Sequence, residues 1–335
     1  MNQQPTSSPA TMRSARLHGI GDLRLDSVPV PTPEPGELLV AIEANGVCAT
    51  DARKFRVGVN DGEYPFNPGH EWVGRVAGIG EGVVGWSIGE RIYGDTYGGY
   101  AEFTTIRVDP EPWSAGPHRI PDHVNLDRAV FVEPLADCIH AVFDQAALAE
   151  GSTLVVVAAG SMGLMTIAVA ARAGIRVLAV EPQPARRALA LEFGASDSLE
   201  PDGWVAEVRR LCPNGADAVI LCNGNPDLVG GCIEATANGG RVVLFAGFGD
   251  RPVVSIDLNA LHYREVALVG SEWIGTPPNQ RRERYDDAIH HILHTDLPLE
   301  RLVSERCSFD DLEAAFVGRS AGEVLKSVFT PQAAR

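Results

Sequence analysis

Residues 153–181 read TLVVVAAGSMGLMTIAVAARAGIRVLAVE. Leu154–Val157 is a short apolar run, Ala158–Gly163 a turn, the next stretch an apolar helix ended by glycine, and RVLAVE a second apolar run. Strand, turn, helix, strand is the βαβ unit. A tight turn opening a helix directly after a strand aims free backbone N–H groups and the helix dipole at an anion such as a pyrophosphate. Gly160 and Gly163 permit close approach there, with Ser161 and Met162 between them. Ala158 stands where G-x-G-x-x-G has its first glycine, so the motif is weak by itself. Its context is stronger, because Glu181 ends the next strand 21 residues after Gly160, where a carboxylate accepts hydrogen bonds from an adenosine ribose. The structural alternative is a tight turn followed by a solvated glutamate.

Working outward, the alternation continues through ARRALALEFGA (helix), DAVILCN (strand), DLVGGCIEATANGG (helix ended by its glycines), RVVLFAG (strand) and VALVGS (strand). Buried apolar strands alternating with helices imply a doubly wound parallel sheet covered on both faces. Cys222, Ala246, Gly247 and Ser271 follow these strands and join the candidate cofactor-binding set; Arg186 is either a surface charge or a partner for adenine. Before Pro121 the texture differs: LLVAIEA, WVGRVAGI, ERIYG and AEFTTIRV are separated by Gly and Pro clusters, the pattern of a small, irregular, barrel-like β domain. A helical stretch, DRAVFVEPLADCIHAVFDQA, joins the two regions. The expected organisation is a polar, disordered extension over 1–12, a first domain over 13–136, a dinucleotide-binding domain over 137–273, and a return over 274–335 that completes the first domain.

The chain of 335 residues carries 28 Lys and Arg against 44 Asp and Glu, a net charge of −16. That field opposes phosphate backbones and anionic lipid, so neither nucleic acid nor membrane is an expected partner. The first residues have no apolar core of a secretory signal, no apolar run reaches the length of a membrane span, and a cytoplasmic protein is expected. Six well-separated cysteines without C-x-x-C are read mostly as small buried hydrophobes.

One group of residues suggests metal chemistry. Cys48 lies in GVCATD, Gly69-His70-Glu71 follows 22 residues later, and Glu133 lies in VEPLA at the junction of the two regions. Thiolate, imidazole and carboxylate make a mixed donor set suited to zinc with a fourth position open. On spacing alone, a lone buried cysteine, a turn and a junction carboxylate explain these residues equally well.

Ordered motifs extend the reading. RLHGIGDLRLDSVPVPTPEPGELLV, VCATD, YPFNPGHEWVGRVAGIGEGV, GERIYG, GGYAEF, VEPLA, AAGSMGLM, GGRVVLFAG, ALVGSEW and EVLKSVF occur in sequence from about Met12 to Pro331. In these the chain resembles the medium-chain dehydrogenase/reductase family, in its zinc-dependent polyol (sorbitol-like) branch. The resemblance implies a GroES-like β-barrel catalytic domain with a Rossmann domain, one catalytic zinc per chain, and NAD. It implies oxidation of a secondary alcohol (a polyol, sugar or cyclitol) to the ketone, in a homodimer or homotetramer. Cys48 and His70 match catalytic zinc ligands, Glu133 falls at the third-ligand position, and Glu71 is an adjoining carboxylate that in some relatives binds the metal. One thiolate and one carboxylate neutralise Zn²⁺, and a second carboxylate makes the site net −1, so one glutamate is expected to bind at a time.

Three departures stand out. The lobe of four cysteines that holds a structural zinc in many relatives is absent, since only YGDTY separates GERI from GGYAEF. Thr50 matches the hydroxyl that takes the substrate proton, but Arg53 stands where a relay His is frequent. Glu272 and Trp273 follow the last strand's Gly-Ser, where relatives vary the substrate wall. His290, His291 and His294 in HHILH are read as a helix face. The competing readings are a zinc-free NAD(P)H-dependent reductase of the same family and a non-catalytic NADH-binding protein.

Overall fold

The computed structural model describes residues 10–59, 63–249, 252–322 and 324–332. Most of the expected N-terminal extension lies outside the described residues, but Thr11 and Met12 already belong to the first strand. The described residues through Glu133, with Pro277–Leu293 and those from Leu299 onward, form one compact unit; Pro134–Thr276 with His294–Pro298 form another.

In chain order the first unit builds β1 (Thr11–Gly19), β2 (Asp22–Pro29), β3 (Glu37–Gly46), α1 (Ala49–Val57), β4 (Trp72–Ile79), β5 (Arg91–Gly94), β6 (Phe103–Arg107), β7 (His118–Arg119) and α2 (Leu126–Ala129). Alternation in β3 buries Leu38, Val40, Ile42 and Ala44, as a half-buried strand requires. Leu38, Val40 and Ile42 pack with Trp72, Val76, Ile92 and Ile106. β1 and β2 pair as a hairpin, while β3 pairs antiparallel with both β4 and β6, and β4 continues to β5 and β7.

α3 (Val132–Ile139) leads to the second unit through a π-helical turn at His140–Gln145. The single helix expected there is thus broken into α2, α3 and this turn. Next come β8 (Thr153–Val157), α4 (Ser161–Arg172), β9 (Arg176–Val180), α5 (Pro184–Glu192), β10 (Asp197–Leu199), α6 (Trp204–Leu211), β11 (Ala216–Leu221), α7 (Val229–Ala235), β12 (Thr236–Leu244), α8 (Leu258–His262) and β13 (Ala267–Gly270). The sheet is parallel, in the order β10-β9-β8-β11-β12-β13. Strand order therefore reverses between β8 and β11, and that reversal opens a crevice at the carboxyl ends of the strands.

The chain then builds α9 (Pro278–His294), β14 (Val303–Cys307), α10 (Leu312–Ala321) and β15 (Lys326–Phe329). β15 joins the first unit's sheet antiparallel to β3, with Val328 opposite Gly46 and Phe329 opposite Asn45. The last strand is thereby placed against the residues that lead into Cys48.

Candidate metal centre and cofactor site

Cys48 follows β3 directly. Val47 N–H donates to the Ser327 carbonyl at 2.9 Å, and Cys48 caps α1, its Sγ accepting from Thr50 N–H at 3.5 Å. The sulfur thus faces the positive end of a helix. His70 and Glu71 enter from the other side, just before β4. Gly69 precedes them at φ +94°, where an added Cβ would stand 2.9 Å from both Tyr100 N and Asn45 Nδ2, so this turn needs glycine. Asn45 Oδ1 accepts from Glu71 N–H at 3.0 Å, and Gly46 N–H donates to the Glu71 carbonyl at 2.9 Å. These bonds bring one donor atom each from Cys48, His70 and Glu71 within 4.8 Å of one another.

A further carboxylate supports the imidazole. Asp51 Oδ1 lies 3.4 Å from His70 Nδ1, and the Asp51 side chain is wholly buried, accepting from Gly69 N–H at 3.2 Å and the Tyr100 hydroxyl at 3.1 Å. Burial opposes the Asp51 charge, but His70, then the Gly69 and Tyr100 donors, outweigh it and hold its pKa below the usual value. Burial likewise opposes a charged His70, while Asp51 and the Cys48 sulfur raise its pKa well above normal. A carboxylate behind a ligating imidazole fixes its orientation. The sulfur, nitrogen and oxygen donors with this support fit zinc.

Glu71 has a second partner that the sequence reading missed. Lys326 Nζ lies 2.9 Å from Glu71 Oε1 and 2.6 Å from Oε2. Beside His70, Tyr97 packs edge-on with ring centroids 5.3 Å apart, and Lys54 Nζ sits 5.0 Å from the Tyr97 ring and 5.2 Å from that of Phe66. Thr50 is exposed and Arg53 half-buried on α1. Glu133 occupies the first turn of α3, its N–H donating to the Tyr93 hydroxyl oxygen at 3.3 Å; it is not one of the three residues that gather, among the described residues. His290, His291 and His294 share α9 and form no metal-holding group among the described residues.

The candidate cofactor residues all follow parallel strands. Ala158, after β8, has φ +79°, the left-handed conformation that the first glycine of the motif supplies elsewhere. Gly160 caps α4, and a Cβ there would meet nothing within 4 Å, leaving room beside the N–H groups of Ser161 and Met162. A Cβ on Gly163 would stand 2.0 Å from the Ala158 carbonyl oxygen, so this glycine permits the helix to approach the turn. Glu181, after β9, is 2% exposed; its Oε2 accepts from Ala159 N–H at 2.8 Å and its Oε1 from Gln183 N–H at 2.9 Å. Arg187 donates to the carbonyls of Glu181 and Pro182 at 3.0 and 2.8 Å and to Glu200 at 2.7 Å, while Arg186 is half-buried. Cys222 follows β11, where burial pushes its thiol pKa up to about 12; Ala246 and Gly247 follow β12, and Ser271 follows β13, donating to the Leu244 carbonyl at 3.0 Å.

Residues 34–109 match the alcohol dehydrogenase GroES-like domain, and residues 161–293 match the zinc-binding dehydrogenase domain. Sorbitol dehydrogenase of Ovis aries is 28% identical over 76% of this chain and 80% of its own length. The (R,R)-butanediol dehydrogenase of Bacillus subtilis is 26% identical over 70% and 77%. A solved structure from Sinorhizobium meliloti 1021, described as a zinc-binding dehydrogenase bound to NADP, superposes with a TM-score of 0.84 at 27% identity, covering 96% of this chain and 100% of that one.

Proposed function

The chain belongs to the zinc-dependent polyol dehydrogenase branch of the medium-chain dehydrogenase/reductase family, and on that premise we propose that it oxidises a secondary alcohol of a polyol, sugar or cyclitol to the ketone, reversibly, with NAD⁺ as hydride acceptor. As a member of that family it is an oxidoreductase acting on CH–OH groups that uses zinc and NAD(P). The observation that carries the reading is the convergence of Cys48, His70 and Glu71 with Asp51 behind the imidazole.

In this reading Cys48 and His70 hold zinc, with Glu71 or Glu133 as the third ligand. Bound zinc supplies a Lewis acid for the substrate hydroxyl. Asp51 orients the His70 ring, and the Thr50 hydroxyl at the mouth of the site takes the substrate proton and delivers it to solvent. Tyr97 supplies an apolar wall beside His70. On the second unit, the α4 N-terminus holds the pyrophosphate and Glu181 faces the adenosine ribose.

A homodimer or homotetramer is part of the proposal. Its support is β13, the edge strand of the parallel sheet, whose Leu268 is 38% exposed in an apolar groove with Phe248, Val253 and Val254. A cytoplasmic setting is supported by six free cysteines, which a reducing compartment preserves. No helix among the described residues is long and apolar enough to cross a membrane.

Metal analysis and NADH absorbance on a panel of polyols, aminocyclitols and simple secondary alcohols test the reading. The expected result is one zinc per chain with turnover, and Cys48→Ser or His70→Ala removes most metal and nearly all turnover while the fold persists. A metal-free protein that reduces activated double bonds supports the reductase reading instead. Cofactor binding without turnover on any panel member supports the non-catalytic one.

A further inference from the structure

Lys326 is one of two lysines in the chain and is 1% exposed. Its ammonium contacts both carboxylate oxygens of Glu71, itself 1% exposed, and lies 5.7 Å from the centre of the Phe131 ring. Water screens neither charge. Glu71 is held from the opposite side as well, because a Cβ at Gly46 would stand 2.0 Å from its Oε2. The same carboxylate has a donor atom within 4.8 Å of those of Cys48 and His70. It therefore sits between a resident cation and the place where a second cation would be held.

We propose that Lys326 is a positioning residue that competes with zinc for Glu71 and so keeps this carboxylate from serving as a permanent metal ligand. The inference rests on reading Cys48 and His70 as zinc ligands. Zinc, the Cys48 thiolate and two carboxylates carry one net negative charge, and the Lys326 ammonium cancels it. The pocket then carries no excess of negative charge where a hydroxyl group must be taken up. Among the described residues Lys326 is the cation that pairs with Glu71, so without it the metal becomes the strong partner of this buried carboxylate. Glu71 then closes the position that the substrate needs. A purely structural ion pair behaves differently, since its loss destabilises the metal-free and metal-loaded protein alike and leaves metal affinity unchanged.

The test compares wild type, Lys326→Met, Lys326→Arg and the double variant Lys326→Met/Glu71→Gln. Zinc affinity of metal-depleted protein is measured against a chelating indicator, the visible spectrum is recorded with Co²⁺, and melting is followed with and without zinc. Lys326→Met is expected to bind zinc about tenfold more tightly or better, to gain more in Tm from zinc than wild type, to shift the Co²⁺ spectrum and to lose turnover. Lys326→Arg keeps the wild-type values. The double variant, which buries no uncompensated charge, keeps zinc affinity within about threefold of wild type.

Equal or weaker zinc binding by folded Lys326→Met overturns the inference. Should Lys326→Met fail to fold, a loss of more than about tenfold in zinc affinity in the double variant overturns it, by showing Glu71 to be a permanent ligand. A wild-type protein that binds no zinc overturns the underlying reading of the site, which is a distinguishable result.

Discussion

Ala158 holds φ +79°, where its Cβ crowds the adjoining peptide and a glycine is unstrained. Ala158→Gly should therefore raise stability by about 1 kcal/mol, read from denaturant unfolding, and a loss of stability would show the turn relaxed already. Thr50 is exposed on α1, and in the proposed reaction its hydroxyl takes the substrate proton. Thr50→Val keeps the volume and removes the hydroxyl, so zinc content and NADH affinity should persist while turnover falls roughly 10²-fold. Unchanged turnover would mean that water or the Arg53 side supplies the route. Cys48 and His70 entered the candidate set through the family resemblance, since spacing alone left the alternative open, and the structure gathers them with Glu71 rather than with Glu133. Asp51 was in view inside VCATD, yet its task appears only when Gly69 and Tyr100 are seen to donate to it. Lys326 lies 255 positions from Glu71, and no local pattern links a ligand to a counter-charge so remote.

Among the elements, the β8-α4-β9 unit was legible because strand and helix leave different periods in the sequence. The end of α7 was not. The glycines of ANGG read as a helix stop, but α7 ends at Ala235 and these glycines lie inside β12. A Cβ on Gly240 would stand 2.7 Å from the Asp217 carbonyl oxygen, so the residue serves close strand approach instead. The turn at His140–Gln145 was equally hidden, since one of its partners is remote: His140 stacks on Trp273 with centroids 4.3 Å apart. β10 and α6 were missed, being short elements among polar residues. The β9-α5 connection carries its own prediction. In the proposed cofactor site Glu181 would meet the extra phosphate of NADP⁺ as a like charge, and Arg187 is engaged by two carbonyls and Glu200. NAD⁺ should be favoured by at least about tenfold in kcat/KM, roughly 1.4 kcal/mol. Glu181→Ser should erode that ratio by improving NADP⁺. Because Glu181 also binds Ala159 N–H, the variant should raise KM for NAD⁺ as well. A wild-type preference for NADP⁺ in steady-state kinetics would assign control of the pocket to the arginines.

For the molecule as a whole, a net charge of −16 and six free cysteines set what it meets and how it reacts. Burial raises the thiol pKa of Cys222, Cys232 and Cys307 to about 12 in each case. At pH 8 these groups are overwhelmingly thiols, so iodoacetamide should label them slowly in the native protein and readily after denaturation. Mass spectrometry of labelled peptides checks this, and rapid native labelling of Cys222, which is partly exposed, would show that its thiol is not raised in this way. The two-unit fold has a further consequence through β15. Lys326 belongs to the last strand, which pairs beside the exit of β3. During synthesis Cys48, His70 and Glu71 emerge 255 or more residues ahead of the cation that balances Glu71. A nascent chain would thus carry these three groups, free to capture metal or to mispair, until β15 is made. Arrival of β15, rather than of the first unit's early strands, would be the event that completes this pocket.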